Sequence, residues 1–176
     1  MNKNCHMKEK LAAIFGLVLL LIFDQWTKLL AISHLKGQAD IELLPGIFSL
    51  HYLENHGAAF GILRDQQWVF LILAAVFLVA AVILYLRMPF TARMIPLRII
   101  TVFIAAGAVG NMIDRLFRHY VVDFLYFSLI DFPVFNVADI YIVVATVLLA
   151  VLILFVYGEE DFQFLPFGRK KTGEKK

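Results

Sequence analysis

The run WVFLILAAVFLVAAVILYL, from Trp68 to Leu86, is nineteen residues long and contains no charge, no proline and no glycine. At 1.5 Å per residue a helix of that length covers about 28 Å, close to the hydrocarbon thickness of a bilayer of about 30 Å. Working outward, three more runs approach the same length. Leu11 to Ile32 is broken by Asp24 and Lys28. Leu97 to Phe117 carries Arg98 at its mouth and Asp114 and Arg115 near its end, and Ile140 to Tyr157 is uncharged with Asp139 just before it. The chain of 176 residues is 61% apolar and 17% charged, which excludes a soluble globular domain and a disordered one. These runs predict a mainly α, polytopic membrane protein of one embedded domain, residues 1–176, with spans at about 11–32, 68–86, 97–117 and 137–157.

Orientation follows from where the basic residues stand outside the spans. Lys3, Lys8 and Lys10, then Arg87, Arg93 and Arg98, then Arg169, Lys170, Lys171, Lys175 and Lys176 gather on one side. The other side has Lys36 and Arg64, with Arg115 and Arg118 where the third span emerges. Residues 1–10, 87–96 and 158–176 are therefore expected in the cytoplasm with both termini, and residues 33–67 and 118–136 outside it. Trp68 and Tyr85 fit the interfacial aromatic belts at the two ends of span two.

These features admit other readings. A basic start followed by the apolar Leu11 to Phe23 also describes a cleavable signal peptide, and Ala31 with Ser33 offers a loose cleavage site. Asp24 and Lys28 lie between that apolar core and that site, which argues for a retained helix. Cys5 has no apolar segment before it and reads as a cytoplasmic thiol; as the single cysteine it excludes an internal disulfide. His6, His34, His51, His56 and His119 show no metal-ligand spacing, and no phosphate-loop or nucleophile-elbow motif is present. The net charge of +2 gives no ground for a nucleic-acid partner.

The non-cytoplasmic segments carry more pattern. Leu44-Pro45-Gly46 reads as a turn between Ile41-Glu42-Leu43 and the alternating Ile47 to Leu53, which predicts a small extracytoplasmic β-hairpin or sheet. Asn55-His56-Gly57-Ala58-Ala59-Phe60-Gly61 suits a tight loop. Arg118 to Asn136 is expected to lie flat as a short interfacial segment.

Asp24 and Lys28 share a helical face at i, i+4, and Gly107, Asn111, Asp114 and Arg115 share another among small residues that let helices approach. Together with Asp123, Asn136 and Asp139 these groups fall at one depth, near the outer boundary of the bilayer. A charge at mid-bilayer costs about 2.5–3.5 kcal/mol, so ionisable residues within spans mark function by default. Structural readings stand beside this one. Asp24 with Lys28 reads equally as an intrahelical ion pair, Asn136 with Asp139 as a helix cap, and Asp114 as a charge neutralised by Arg115 beside it. Asp123 has no base next to it, and among Val121, Val122 and Phe124 its carboxyl should titrate high if buried. Two carboxylates meeting where water is available can share a proton, one activating water and the other protonating a carbonyl oxygen. Asp123 and Asp139 are the best pair for that chemistry.

Five blocks occur in order: Asp24-Gln25-x-x-Lys28, Asn55-x-Gly57-Ala58-Ala59-Phe60, Gly107-Ala108-x-Gly110-Asn111-x-Ile113-Asp114-Arg115, Val121-Val122-Asp123-Phe124 and Phe135-Asn136-x-Ala138-Asp139. Together they resemble the signature blocks of the bacterial lipoprotein signal peptidases, or signal peptidase II. The resemblance implies an aspartic endopeptidase of the bacterial cytoplasmic membrane that removes signal peptides from prolipoproteins immediately before a diacylglyceryl-modified cysteine. It places the catalytic pair at Asp123 and Asp139, substrate-binding or supporting roles at Asn55, Asn111, Arg115 and Asn136, and further support at Asp24, Lys28 and Asp114. The expected partners are modified prolipoproteins and membrane lipid, the expected state is a monomer, and no metal or organic cofactor is expected. The rival reading is a small proton-coupled transporter, which needs ionisable groups along a path across the bilayer; the cytoplasmic halves of the spans hold almost none. A non-catalytic scaffold leaves the co-located acids unexplained.

Overall fold

The computed structural model describes residues 3–57 and 66–165. Ala58, Ala59, Phe60, Gly61 and Arg64, and the basic residues from Arg169 onward, lie outside the described residues. Four helices are long and apolar enough to cross a membrane: α1 (Lys3–Leu35), α2 (Gln67–Arg87), α3 (Ile95–Phe117) and α4 (Val137–Phe155). α1 extends beyond the expected span at both ends, because the polar Lys3–Lys10 stretch continues the same helix. α3 begins after a 3-10 turn, with Pro96 in its first turn, where a missing N–H costs nothing. α4 stops two residues before the expected end of span four, and Tyr157 folds back into a core at that end of the bundle.

The central helix is α3, which packs against α1, α2 and α4, whereas the backbones of α2 and α4 do not approach each other closely. Exposure follows that arrangement. Phe15, Val76 and Leu154 point outward as lipid-facing surface, while α3 buries Ala105, Ala106, Gly107 and Gly110. A Cβ on Gly107 would lie 2.5 Å from the Ala138 carbonyl oxygen and 2.6 Å from Ile142 Cγ1, so the glycine permits the close approach of α3 and α4.

A three-stranded antiparallel sheet of order β1-β2-β3 covers one end of the bundle: β1 (Ile41–Leu44), β2 (Phe48–Asn55) and β3 (Val121–Tyr126). The β1-β2 hairpin turns at Gly46, whose φ of +69° suits glycine. The third strand departs from the interfacial reading of residues 118–136. Val121 to Tyr126 is rich in β-branched and aromatic residues, and it pairs with β2 through Glu54 opposite Val122 and Asn55 opposite Val121. Val122 and Phe124 pack with Ala31 and Leu35, which seats the sheet on the end of α1.

Candidate active site

The largest fully buried side chains of this membrane protein include Lys28, Asn136, Asp24, Asp114 and Asp123. Lipid cannot solvate them, so each must be satisfied by the others. Lys28 Nζ stands at the centre, 3.0 Å from Asp24 Oδ2, 3.1 Å from Asp114 Oδ2, and 2.9 Å from Asn111 Oδ1, to which it donates. The Asp24–Lys28 pair is thus intrahelical and also joins α1 to α3. Asp24 Oδ1 accepts the Ala138 N–H at 3.0 Å, so a carboxylate of α1 satisfies a free donor at the start of α4. Gly110 leaves the space for it, since a Cβ there would lie 2.6 Å from Asp24 Oδ2.

Asp114 is neutralised differently from the sequence expectation. Its carboxylate pairs with Lys28 and with Arg118, and it also accepts the Val122 N–H at 3.1 Å. Adjacent residues on a helix point apart whereas i, i+4 residues meet, so Arg118 and not Arg115 reaches it. Gln25 closes this group, donating toward Asp114 Oδ1 at 3.1 Å and Gly110 O at 3.2 Å and accepting from Arg118. Gln25 and Arg118 were absent from the sequence-derived site. The i, i+4 spacing of Arg118 from Asp114 is a usable signal, and Gln25 stands beside Asp24 in the first of the five sequence blocks.

Asp123 and Asp139 meet through Asn136. The Asn136 amide donates to Asp123 Oδ1 at 2.6 Å, and its Oδ1 accepts the Asp139 N–H at 3.1 Å. The Asn136 backbone N–H in turn donates to Asp139 Oδ2 at 3.1 Å, which completes a capping box. Asn111 donates to Asp139 Oδ1 at 2.8 Å, and Asn55 donates to Asp123 Oδ2 at 2.8 Å. Asn55 lies opposite Val121, two residues from Asp123 along β3, within reach of a diagonal cross-strand contact. The return from β3 is pinned by the Leu125–Phe135 bridge, which delivers Asn136 and Asp139 beside the strand that bears Asp123.

Burial, and then the neighbouring Asp139 carboxylate, push the Asp123 carboxyl up to about 7; Asn55, Asn136 and Lys28 oppose that rise. Asp139 is half-buried, whereas Asp123 is only 2% exposed. Arg115 sits at the rim, over the Phe70 ring at 4.9 Å and donating to the Gly57 carbonyl oxygen at 3.4 Å. Every residue that the sequence placed in the site is therefore in one connected group or at its edge. Among the described residues no cluster of three or more His, Cys, Asp or Glu could hold a metal ion.

A family model described as signal peptidase (SPase) II matches residues 16–155, which takes in α1 beyond its first turns, the sheet, and all of α2, α3 and α4. The chain belongs to the signal peptidase II family. It is a multi-pass bacterial membrane protein and a peptidase of that family. Lipoprotein signal peptidases of Streptococcus pyogenes serotypes M5 and M18 are each 38% identical to it over 156 residues, covering 89% of this chain and 99% of theirs. Two solved bacterial membrane enzyme structures are each 30% identical. One has a TM-score of 0.71 and covers 81% of this chain and 87% of that one; the other has a TM-score of 0.70 and covers 83% and 94%.

Proposed function

We propose that this single embedded domain is an aspartic endopeptidase that cleaves prolipoproteins immediately before a diacylglyceryl-modified cysteine, with Asp123 and Asp139 as its catalytic pair. The observation that carries the reading is that both carboxylates are tied to one residue, Asn136, at the boundary between the sheet and the helices. Four acids (Asp24, Asp114, Asp123, Asp139) and three bases (Lys28, Arg115, Arg118) make up the charged group, so one shared proton on the pair balances it.

The pair shares that proton, so one carboxyl is protonated while the other presents a charged carboxylate to water, with Asp139 at the N-terminus of α4. The charged carboxylate takes a proton from water as the water oxygen attacks the scissile carbonyl carbon, and the protonated one gives its proton to the carbonyl oxygen. The tetrahedral intermediate collapses with cleavage of the C–N bond. The carboxyl that took water's proton passes it to the amide nitrogen, which leaves as the new amine of the cysteine. One hydroxyl of the intermediate returns its proton to the other carboxylate, so that the pair again holds one proton and the signal peptide ends in a carboxyl group that ionises in water. Asn55, Asn111 and Asn136 hold the two carboxyl groups in place, and Asp24, Lys28 and Asp114 fix the helices that carry them. Arg115, above Phe70, is positioned to bind substrate backbone.

The basic residues at the other end of the bundle support a topology with both termini in the cytoplasm and the sheet outside. Acyl chains of the substrate then stay in lipid while the peptide bond reaches the polar layer. Purified protein, reconstituted with a diacylglyceryl-modified precursor, is expected to release the signal peptide, and Asp123→Asn or Asp139→Asn is expected to abolish release while the protein remains folded. Full cleavage by either variant overturns the catalytic pair. Proton flux without cleavage favours the transporter reading.

A further inference from the structure

At the end of the bundle opposite the sheet, a cavity of about 330 Å³ lies between α2, α3 and α4 and is almost wholly apolar. Its walls include Phe77 and Leu84 of α2, Leu97 and Ile104 of α3, and Leu149 and Ile153 of α4. Its far end is closed by Phe162, Phe164 and Leu165, which follow α4. This closing segment is fastened. Asp161 accepts two hydrogen bonds from the Arg93 guanidinium at 2.5 and 2.7 Å, a bidentate pair, and its second oxygen also takes the Gly158 N–H. Tyr157 donates to the Arg93 carbonyl oxygen at 2.7 Å.

The cavity is one end of a longer groove. On α3, Leu97, Thr101, Ile104, Ala108, Asn111 and Arg115 follow one another at three or four residues and form one face, which runs from the cavity to the polar site. On α4, Ile153 and Leu149 continue at the same spacing through Thr146 and Ile142 to Asp139. On α2, Leu84 and Phe77 continue through Ala74 to Phe70, which meets Arg115. The backbones of α2 and α4 do not approach each other closely, so a groove runs between them along α3, and their side chains converge only at its far end, around Met88 and Leu97. From Leu97 to Asn111 is fourteen residues, about 21 Å of helix.

We propose that this groove takes the apolar helix of the substrate's signal peptide and that the Phe162–Leu165 segment is its floor, so that floor-to-carboxylate distance sets the length of apolar segment cleaved best. The inference rests on the peptidase reading given above. Fourteen residues agree with the apolar core of about 7–15 residues found in signal peptides, which begin with a basic stretch. Glu159 and Glu160 stand exposed beside the floor, an acidic pair on a side that is otherwise mainly basic with Lys8, Lys10, Arg87, Arg93 and Arg98, and this local charge complements that stretch.

The test uses the full-length reconstituted protein and diacylglyceryl-modified precursors whose apolar segments differ in length by one helical turn. Wild type is expected to cleave best near the groove's own length and to lose about tenfold in kcat/KM when one turn is added, since about 5.4 Å of excess helix meets the floor. Phe162→Ala with Phe164→Ala removes the floor and is expected to bring the longer precursor within about threefold of the best one. Ala80→Phe, on an exposed face lining the cavity, raises the floor and is expected to move the optimum to a shorter segment, which tests the idea even if the double variant does not fold. Glu159→Lys with Glu160→Lys is expected to raise KM for precursors with a basic start and not for one with a neutral start. A wild-type enzyme that cleaves every length equally, or variants that keep the wild-type length profile, overturn the inference alone. A wild-type enzyme that cleaves no modified precursor overturns the reading beneath it.

Discussion

Replacing Asp123 by asparagine should change how stability depends on pH, in a way that isolates the buried carboxyl. In the folded protein this group titrates at about 7, against 3.8 in an exposed chain. Between those values the folded state holds a proton that the unfolded state has lost, so stability falls as pH rises through the window and is level above about 7. From pH 5 to pH 8 the wild type crosses about two units of that window, worth about 2–3 kcal/mol at 1.36 kcal/mol per unit. Asparagine has no such slope. It brings its own fixed penalty, because Asp123 accepts from both Asn136 and Asn55 and an amide can accept from only one of them. That penalty is the same at both pH values and cancels in the difference. Thermal unfolding in detergent should therefore show Asp123→Asn gaining on wild type between pH 5 and pH 8 by about 5–10 °C, taking 2–4 °C per kcal/mol for a chain of this size. A difference that does not change with pH refutes the buried, proton-holding state of Asp123.

Further outcomes follow from the same geometry. Lys28→Met leaves Asp24 and Asp114 buried without their shared base and should cost about 3–5 kcal/mol, part of it recovered by adding Asp24→Asn, as measured by denaturation of the single and double variants. Gly107→Ala forces a methyl against the Ala138 carbonyl oxygen and should destabilise by about 1–3 kcal/mol in the same assay while lowering cleavage, because α4 carries Asp139. Asn136→Ala removes the α4 cap and the link between the two carboxylates together; it should lower kcat strongly and stability by about 1–2 kcal/mol, a split seen by pairing turnover with unfolding.

Much of this architecture can be read along the chain because each span is a long apolar run whose length the bilayer dictates. The β1-β2 hairpin was legible from Pro45-Gly46 between alternating residues. β3 was not, because both faces of Val121 to Phe124 are buried and an unalternating apolar run reads as well at an interface as in a sheet. Site residues were visible as rare charges at one depth, but their pairing was not. That Lys28 serves three partners, and that Arg118 reaches Asp114 when Arg115 does not, depends on how α1 and α3 face each other. The Arg93–Asp161 fastening was hidden for a similar reason: sixty-eight residues separate its partners, and each alone looks like a solvated surface charge.

Direct activation of water by Asp123 and Asp139 is tested by cleavage in heavy-oxygen water. A single turnover of the diacylglyceryl-modified precursor, quenched in acid and read by mass spectrometry, should give a signal peptide with one heavy oxygen in its new carboxylate and no mass added to the protein. A signal peptide found covalently attached to the protein during turnover contradicts the account.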